Sequence, residues 1–259
     1  MRLFFRLLKI VGLLVGVLLL TVVALLAVTF SGGLPIKDGQ RLGGVEVVKD
    51  GIVSSFIVDV DDKNVLLIDA GNDREAKPIL LALGRRNLGP GAVKAILLTH
   101  GDRDHTAGVL AFPTAQVMAL EPDVGLAEGR EARGIFKLIS PPQANGIKVA
   151  RALHEGDRLS FGNLEVRVFA VPGHTKGSAV FLARNVLFMG DSAEATKDGK
   201  LAPGKRLFTD SPAQNRASLR ALAARLRPMA ADVKAIAPAH SGMLTAGLAP
   251  LTDFAASEK

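Results

Sequence analysis

The stretch Val93-Lys-Ala-Ile-Leu-Leu-Thr99-His100-Gly-Asp102-Arg-Asp104-His105 decides how this chain is read. Val93–Leu98 is an apolar run of strand length, and it ends directly in two histidines and two aspartates. A tight loop at a strand end can turn several such side chains toward one point. Taken alone, the cluster also fits a capped helix start or a solvated loop.

Working outward, the same arrangement recurs. The strand-like run Leu164–Val171 leads into Pro172-Gly173-His174-Thr175, Asn185–Phe188 into Gly190-Asp191, and Val233–Ala237 into Pro238-Ala239-His240. Four of the five histidines therefore sit just beyond a buried strand, which scattered core histidines would not do. The fifth, His154, lies in a His-Glu-Gly-Asp turn and reads as a surface residue.

Further strands are expected at Val45–Val48, Ser54–Val60, Val65–Ile68 (ending at Asp69-Ala70-Gly71), Gln116–Leu120 and Ala179–Ala183. Glu75–Gly84 reads as a helix. A second helix opens at Ser211-Pro212 and carries Leu219, Leu222 and Leu226 at helical spacing. Glu128–Lys148, with its Gly, Pro and scattered charges, reads as a loop or inserted cap. Mixed strands and helices in this order imply an α+β chain of sheets covered by helices.

Composition narrows the chemistry. The 259 residues include no Cys, Trp or Tyr, and all twelve aromatics are Phe. Disulfides, thiolate ligands and a thiol nucleophile are excluded, as is a phenol serving as acid or oxyanion donor. The net charge of +7 comes without stacking aromatics among the basic residues or a recognisable binding motif, so no nucleic acid partner is expected.

In its motifs the chain resembles the metallo-β-lactamase-fold hydrolases. Their signature, Thr-His-x-His-x-Asp-His followed by Gly-His-Thr, Gly-Asp and a late His, is matched by Thr99–His105, Gly173-His174-Thr175, Gly190-Asp191 and His240. Asp69-Ala-Gly71 resembles the family's early Asp-x-Gly turn. The resemblance covers about residues 43–250 and departs at one place, Asp102, where the family usually has His. It implies a four-layer αβ/βα sandwich with metals at one edge. By resemblance, His100, Asp102 and His174 would hold one divalent ion and Asp104, His105 and His240 a second, with Asp191 bridging. Zinc is the first expectation, and the carboxylate of Asp102 admits iron or manganese.

The activity so implied is hydrolysis of an ester, lactone or thioester by a metal-bound hydroxide, with Asp104 also able to move a proton. The absence of Cys excludes cysteine-ligated lactamases, Asp191 argues against lactamase branches that lack it, and the absence of Tyr removes a common substrate-side helper of lactonases and glyoxalase II enzymes. Ser192, Lys197 and Arg206 could meet an acidic substrate, although solvated surface is the blander role for each. The alternative is non-haem iron redox chemistry on the same fold, to which the carboxylate at Asp102 gives some weight.

Ile10–Phe30 carries no charge. As a helix its 21 residues span about 31 Å, matching a bilayer core of about 30 Å. Ser31 and Gly33 offer a cleavage pair, but the run is long for a signal peptide, so residues 1–30 are read as an uncleaved single-pass signal anchor. Residues 31–42 follow as a linker and 43–259 as the enzyme domain. Arg2, Arg6 and Lys9 before the helix outnumber Lys37 and Arg41 after it, which places the domain on the extracytoplasmic side. The expected partners are the membrane and a small-molecule substrate.

Overall fold

The computed structural model describes residues 2–134, 137 and 141–257. They form two compact units, residues 1–33 and 34–259. The first is a single helix, α1 (Arg2–Ser31). Its stretch Phe4–Leu25 is long and apolar enough to cross a membrane, a test that signal sequences also pass. Leu13, Leu14 and Leu20 on it are exposed.

The second unit begins with a seven-stranded sheet whose spatial order follows the chain: β1 (Arg41–Leu42), β2 (Val45–Asp50), β3 (Val53–Asp59), β4 (Val65–Ile68), β5 (Val93–Leu97), β6 (Gln116–Leu120) and β7 (Arg151–Leu153). Strands β1 to β4 pair antiparallel. From β4 to β7 the pairing is parallel, made possible by the connections through α2 (Lys77–Gly84) and the one-turn helices α3 (Arg103–Thr106) and α4 (Val124–Ala127). Next come β8 (Arg158–Phe161), β9 (Leu164–Ala170), β10 (Ala179–Ala183) and β11 (Val186–Gly190). A small ribbon, β12 (Ala193–Ala195) with β13 (Leu201–Pro203), precedes β14 (Ala235–Pro238). The second sheet has the order β14-β11-β10-β9-β8.

Alternation along the strands sorts side chains to the two faces of each sheet. Leu66 and Ile68 of β4 turn inward with Phe56, Val58 and Leu97, where they meet Val166, Val168, Phe181 and Phe188 of the second sheet. The rings of Phe56 and Phe188 lie 5.1 Å apart across this interface. Val65 and Leu67 turn outward, beneath Ile79 and Leu83 of α2. On the far side, Val180, Leu182 and Leu187 are covered by Leu219, Leu222 and Leu226 of α5 (Pro212–Leu226) and by Leu251 and Phe254 of α6 (Ala249–Ser257). Both faces of each sheet are thus buried, and the result is the four-layer αβ/βα sandwich. Ser211 caps α5 by accepting from the Gln214 amide, with Pro212 at the first turn.

Several boundaries depart from expectation for local reasons. Arg184 and Asn185 both have positive φ, as a two-residue hairpin turn requires, so β11 starts one residue later than predicted. Ala76 also has positive φ, which starts α2 at Lys77 rather than Glu75. Strands β7 and β8 and helix α6 are short and partly exposed, and they carry too weak a pattern to be read from the sequence.

Two residues of α2 test this layering. Ile79 is buried and Leu81 is 66% exposed. Ile79→Ala should cost about 2–5 kcal/mol, whereas Leu81→Ala should stay within about 0.5 kcal/mol of the parent. Thermal unfolding followed by circular dichroism checks both, and equal shifts would refute the assignment of faces.

Candidate metal centre

Each functional side chain leaves the end of a strand at the same edge of the sandwich. Asp69 follows β4, His100 follows β5, His174 follows β9, Asp191 follows β11 and His240 follows β14. Two glycines permit this crowding. A Cβ on Gly101 would fall 2.5 Å from the Ala127 amide nitrogen. Gly190 has φ +51°, and a Cβ there would fall 2.5 Å from Thr99 Oγ1.

The seven residues singled out by sequence come together. His100, His174 and Asp191 offer ligand atoms within 4.8 Å of one another, and so do Asp104, His105 and His240. Asp191 lies between the groups. Its Oδ1 is 3.2 Å from His105 Nε2, and its Oδ2 is 3.2 Å from His240 Nε2 and 3.6 Å from His174 Nε2. Asp104 Oδ2 is 3.2 Å from His240 Nε2. Asp102 Oδ2 stands 3.4 Å from Nε2 of both His100 and His174.

In every one of these imidazoles Nδ1 is engaged on the outer side. That of His105 meets Asp69 Oδ2 at 2.8 Å, and that of His240 meets the Ile52 carbonyl at 2.8 Å. His100 Nδ1 faces Thr99 Oγ1 at 3.1 Å, and His174 Nδ1 faces Thr209 Oγ1 at 3.4 Å. Thr99 Oγ1 itself donates to Asp69, so it accepts from His100. These bonds place a proton on Nδ1 and aim Nε2 inward, the arrangement by which outer partners orient metal-binding histidines. Nε2 of His100 and His105 and Oδ1 of Asp191 are buried without a hydrogen bond. Buried polar atoms left in this state call for an explanation, and a borderline divalent ion taking nitrogen and oxygen donors supplies one.

The electrostatics agree. Burial opposes charge on His105, but Asp191, Asp69 and Asp104 outweigh it and push its pKa well above the usual value. Burial likewise opposes charge on His240, and Asp191 and Asp104 overcome it, pushing it up to about 10. For Asp191, burial is outweighed by His240 and His105, which hold the carboxyl well below its ordinary range. The cluster draws positive charge to itself. His174 goes the other way, lowered chiefly by burial.

Three contributors escaped the sequence reading. Arg133, inside the Glu128–Lys148 segment, forms a bidentate pair with Asp102, with Nε 2.7 Å from Oδ1 and Nη2 on Oδ2. Burial tends to raise the Asp102 pKa, but Arg133, His100 and His174 hold it well below the ordinary value. The signal was the Asp at position 102 itself, since a carboxylate buried among imidazoles requires a cation. Asp123, fully buried, accepts from the Gly101 and Gly177 amides and the Thr175 hydroxyl. Lys205 is half-buried and paired with Glu194, and burial lowers its pKa against the pull of Asp191. Lys197 and Arg206 are exposed, Ser192 is buried, and His154 lies on the surface.

Residues 48–240 match the family model of the metallo-beta-lactamase superfamily. The chain belongs to that superfamily. Among curated proteins it is 32% identical over 167 residues to a hydroxyacylglutathione hydrolase of Aeromonas hydrophila, covering 63% of this chain and 53% of the relative. A hydroxyacylglutathione hydrolase of Cronobacter sakazakii is 29% identical over 175 residues, covering 68% and 57%. The chain thus spans about half the length of the curated relatives it matches. Among solved structures, a beta-lactamase from Chitinophaga pinensis superposes with a TM-score of 0.65 at 19% identity, covering 86% of this chain and 91% of that one. A Cronobacter sakazakii metallo-beta-lactamase with an HARLDQ motif gives 0.61 at 18%, covering 89% and 94%. At these identities the superpositions show a shared fold.

Asp69 supports the geometry from the Nδ1 side of His105, opposite the nitrogen that faces Asp191. Replacing it by Asn removes the charge behind His105 Nδ1, and zinc affinity measured against a competing chelator should fall about 10–100-fold. Unchanged affinity would show that His105 needs no such partner.

Proposed function

We propose that this chain is a membrane-anchored, metal-dependent hydrolase of thioesters or related esters and lactones, with two adjoining divalent-ion sites. The observation that carries the reading is the position of Asp191 between two sets of inward-facing imidazole nitrogens. His100, Asp102 and His174 would form one site and Asp104, His105 and His240 the other, with Asp191 shared. Zinc suits this donor set. Divalent ions held there would polarise a substrate carbonyl and make a water acidic enough to react near neutral pH.

The protein's own groups supply the rest. The Nδ1 contacts fix the imidazoles before substrate arrives, so little reorganisation accompanies the reaction. Asp104, with a third of its side chain exposed, is the most open of the three carboxylates and is suited to hold or pass a proton at Oδ2. Without tyrosine, the chain has no phenol to steady the oxyanion. The thioester preference rests on the named activity of the curated relatives, hydrolysis of hydroxyacylglutathione. The redox alternative drew its weight from a carboxylate at position 102, and that carboxylate is engaged by Arg133.

A substrate panel of acyl-glutathione thioesters, lactones, carboxyl esters, phosphodiesters and β-lactams tests the reading. Thioester turnover should be highest, vanish on chelation and return with zinc. Asp191→Ala should lower kcat/KM by at least about 100-fold, because a shared ligand counts for more than an outer partner. Turnover retained in that variant would sink the two-site reading.

The anchor is tested separately. The full chain should sediment with membranes and resist alkaline carbonate, while a version starting at Leu34 should remain in the supernatant. Release of the full chain by carbonate would rule out a spanning helix.

A further inference from the structure

We propose that Arg133 is the resident cation of the His100–Asp102–His174 corner, so that the chain takes up divalent ions in two unequal steps. This rests on the metal-dependent reading above and refines its ion count.

The argument begins with one nitrogen. Arg133 Nη2 lies 2.9 Å from His174 Nε2 and also donates to Asp102 Oδ2. Because His174 Nδ1 faces Thr209, its Nε2 is the acceptor. An imidazole nitrogen has one lone pair in the ring plane. It cannot accept the guanidinium N–H and bind a metal at the same time. Asp102 is likewise taken, one oxygen by Nε and the other by Nη2. Two of the three residues in this corner therefore already serve a cation.

The remainder of the guanidinium is equally committed. Nη1 donates to the Phe208 carbonyl at 2.8 Å, Asp210 Oδ1 at 3.1 Å and the His174 carbonyl at 3.2 Å. With 9% of the residue exposed and acceptors on all three nitrogens, Arg133 is not placed as a clamp for a substrate anion. It holds together the loops bearing Asp102, His174 and Asp210. Charge-assisted, forked bonds of this kind are the strong ones.

The other corner differs. His105 and His240 have their Nδ1 atoms tied to Asp69 and the Ile52 carbonyl, and His105 Nε2 is buried without a hydrogen bond. The first ion is therefore taken at Asp104, His105 and His240 with Asp191. A second enters only as Arg133 withdraws from His174 and Asp102.

Zinc titration of the full chain in detergent micelles, stripped of metal beforehand and followed by calorimetry, tests this. The unmodified chain should bind one ion tightly and a second roughly 100-fold more weakly, reflecting the charge-assisted bonds that must break. Arg133→Met keeps bulk but loses the charge and the donors, and it should bring the second step to within about tenfold of the first. Two ions of equal affinity in the unmodified chain would overturn the proposal, whether or not the variant folds. So would an Arg133→Met protein with native circular dichroism that still takes a single ion. No zinc uptake by any form would instead remove the metal-dependent reading beneath it.

Discussion

The carboxylate of Asp69 is the constraint on which the site depends. It sits at the end of β4 with positive φ and accepts from the Thr99 amide, the Thr99 hydroxyl and His105 Nδ1. Those bonds join two parallel strands at their carboxyl ends and fix one imidazole in the same stroke. Thr99 then passes the constraint to His100 through its hydroxyl. The sandwich below makes this possible, because Ile68 and Leu97, paired in register, bring Asp69 and Thr99 side by side. The core sets the strand ends, the strand ends set Asp69, and Asp69 sets two of the four inward-facing nitrogens.

Much of the architecture was readable because apolar runs in parallel strands are nearly continuous, as in Val65–Ile68 and Val93–Leu97, and because the inward residues of both sheets interleave in one core. The strand-end histidines were readable for the same reason: each run stops abruptly at a polar residue with chemistry. What escaped the sequence lies in contacts between distant segments. Asp123 resembles any acidic residue near a helix start until the fold brings Gly101 and Thr175 to it. Arg133 lies thirty-one positions from its partner in a segment without periodicity. Lys205 and its neighbour Arg206 look alike in sequence, and only burial separates them. Short strands such as β7 were missed because exposed arginine and alanine carry no alternation.

Substituting Asp for His at position 102 changes more than one donor atom. A neutral ligand needs no counter-charge, whereas a buried carboxylate does, and the chain supplies Arg133 from an otherwise irregular segment. The departure from the family motif and the placement of that arginine are thus one feature seen from two sides. Asp210, at the outer end of the guanidinium, extends the pairing toward the surface.

The anchoring of the histidines is unequal. His100 and His174 ride on loops bolted together through Asp123, so their spacing is rigid. His240 is braced from the tip of the β2–β3 hairpin, by the carbonyl of Ile52, whose side chain is 57% exposed. A molecule that presses on Ile52 from outside therefore leans on the lever that aims this imidazole. The hairpin tip thus joins the outer surface to the least buried of the four clustered imidazoles, so the aim of that ring depends on a turn that solvent reaches.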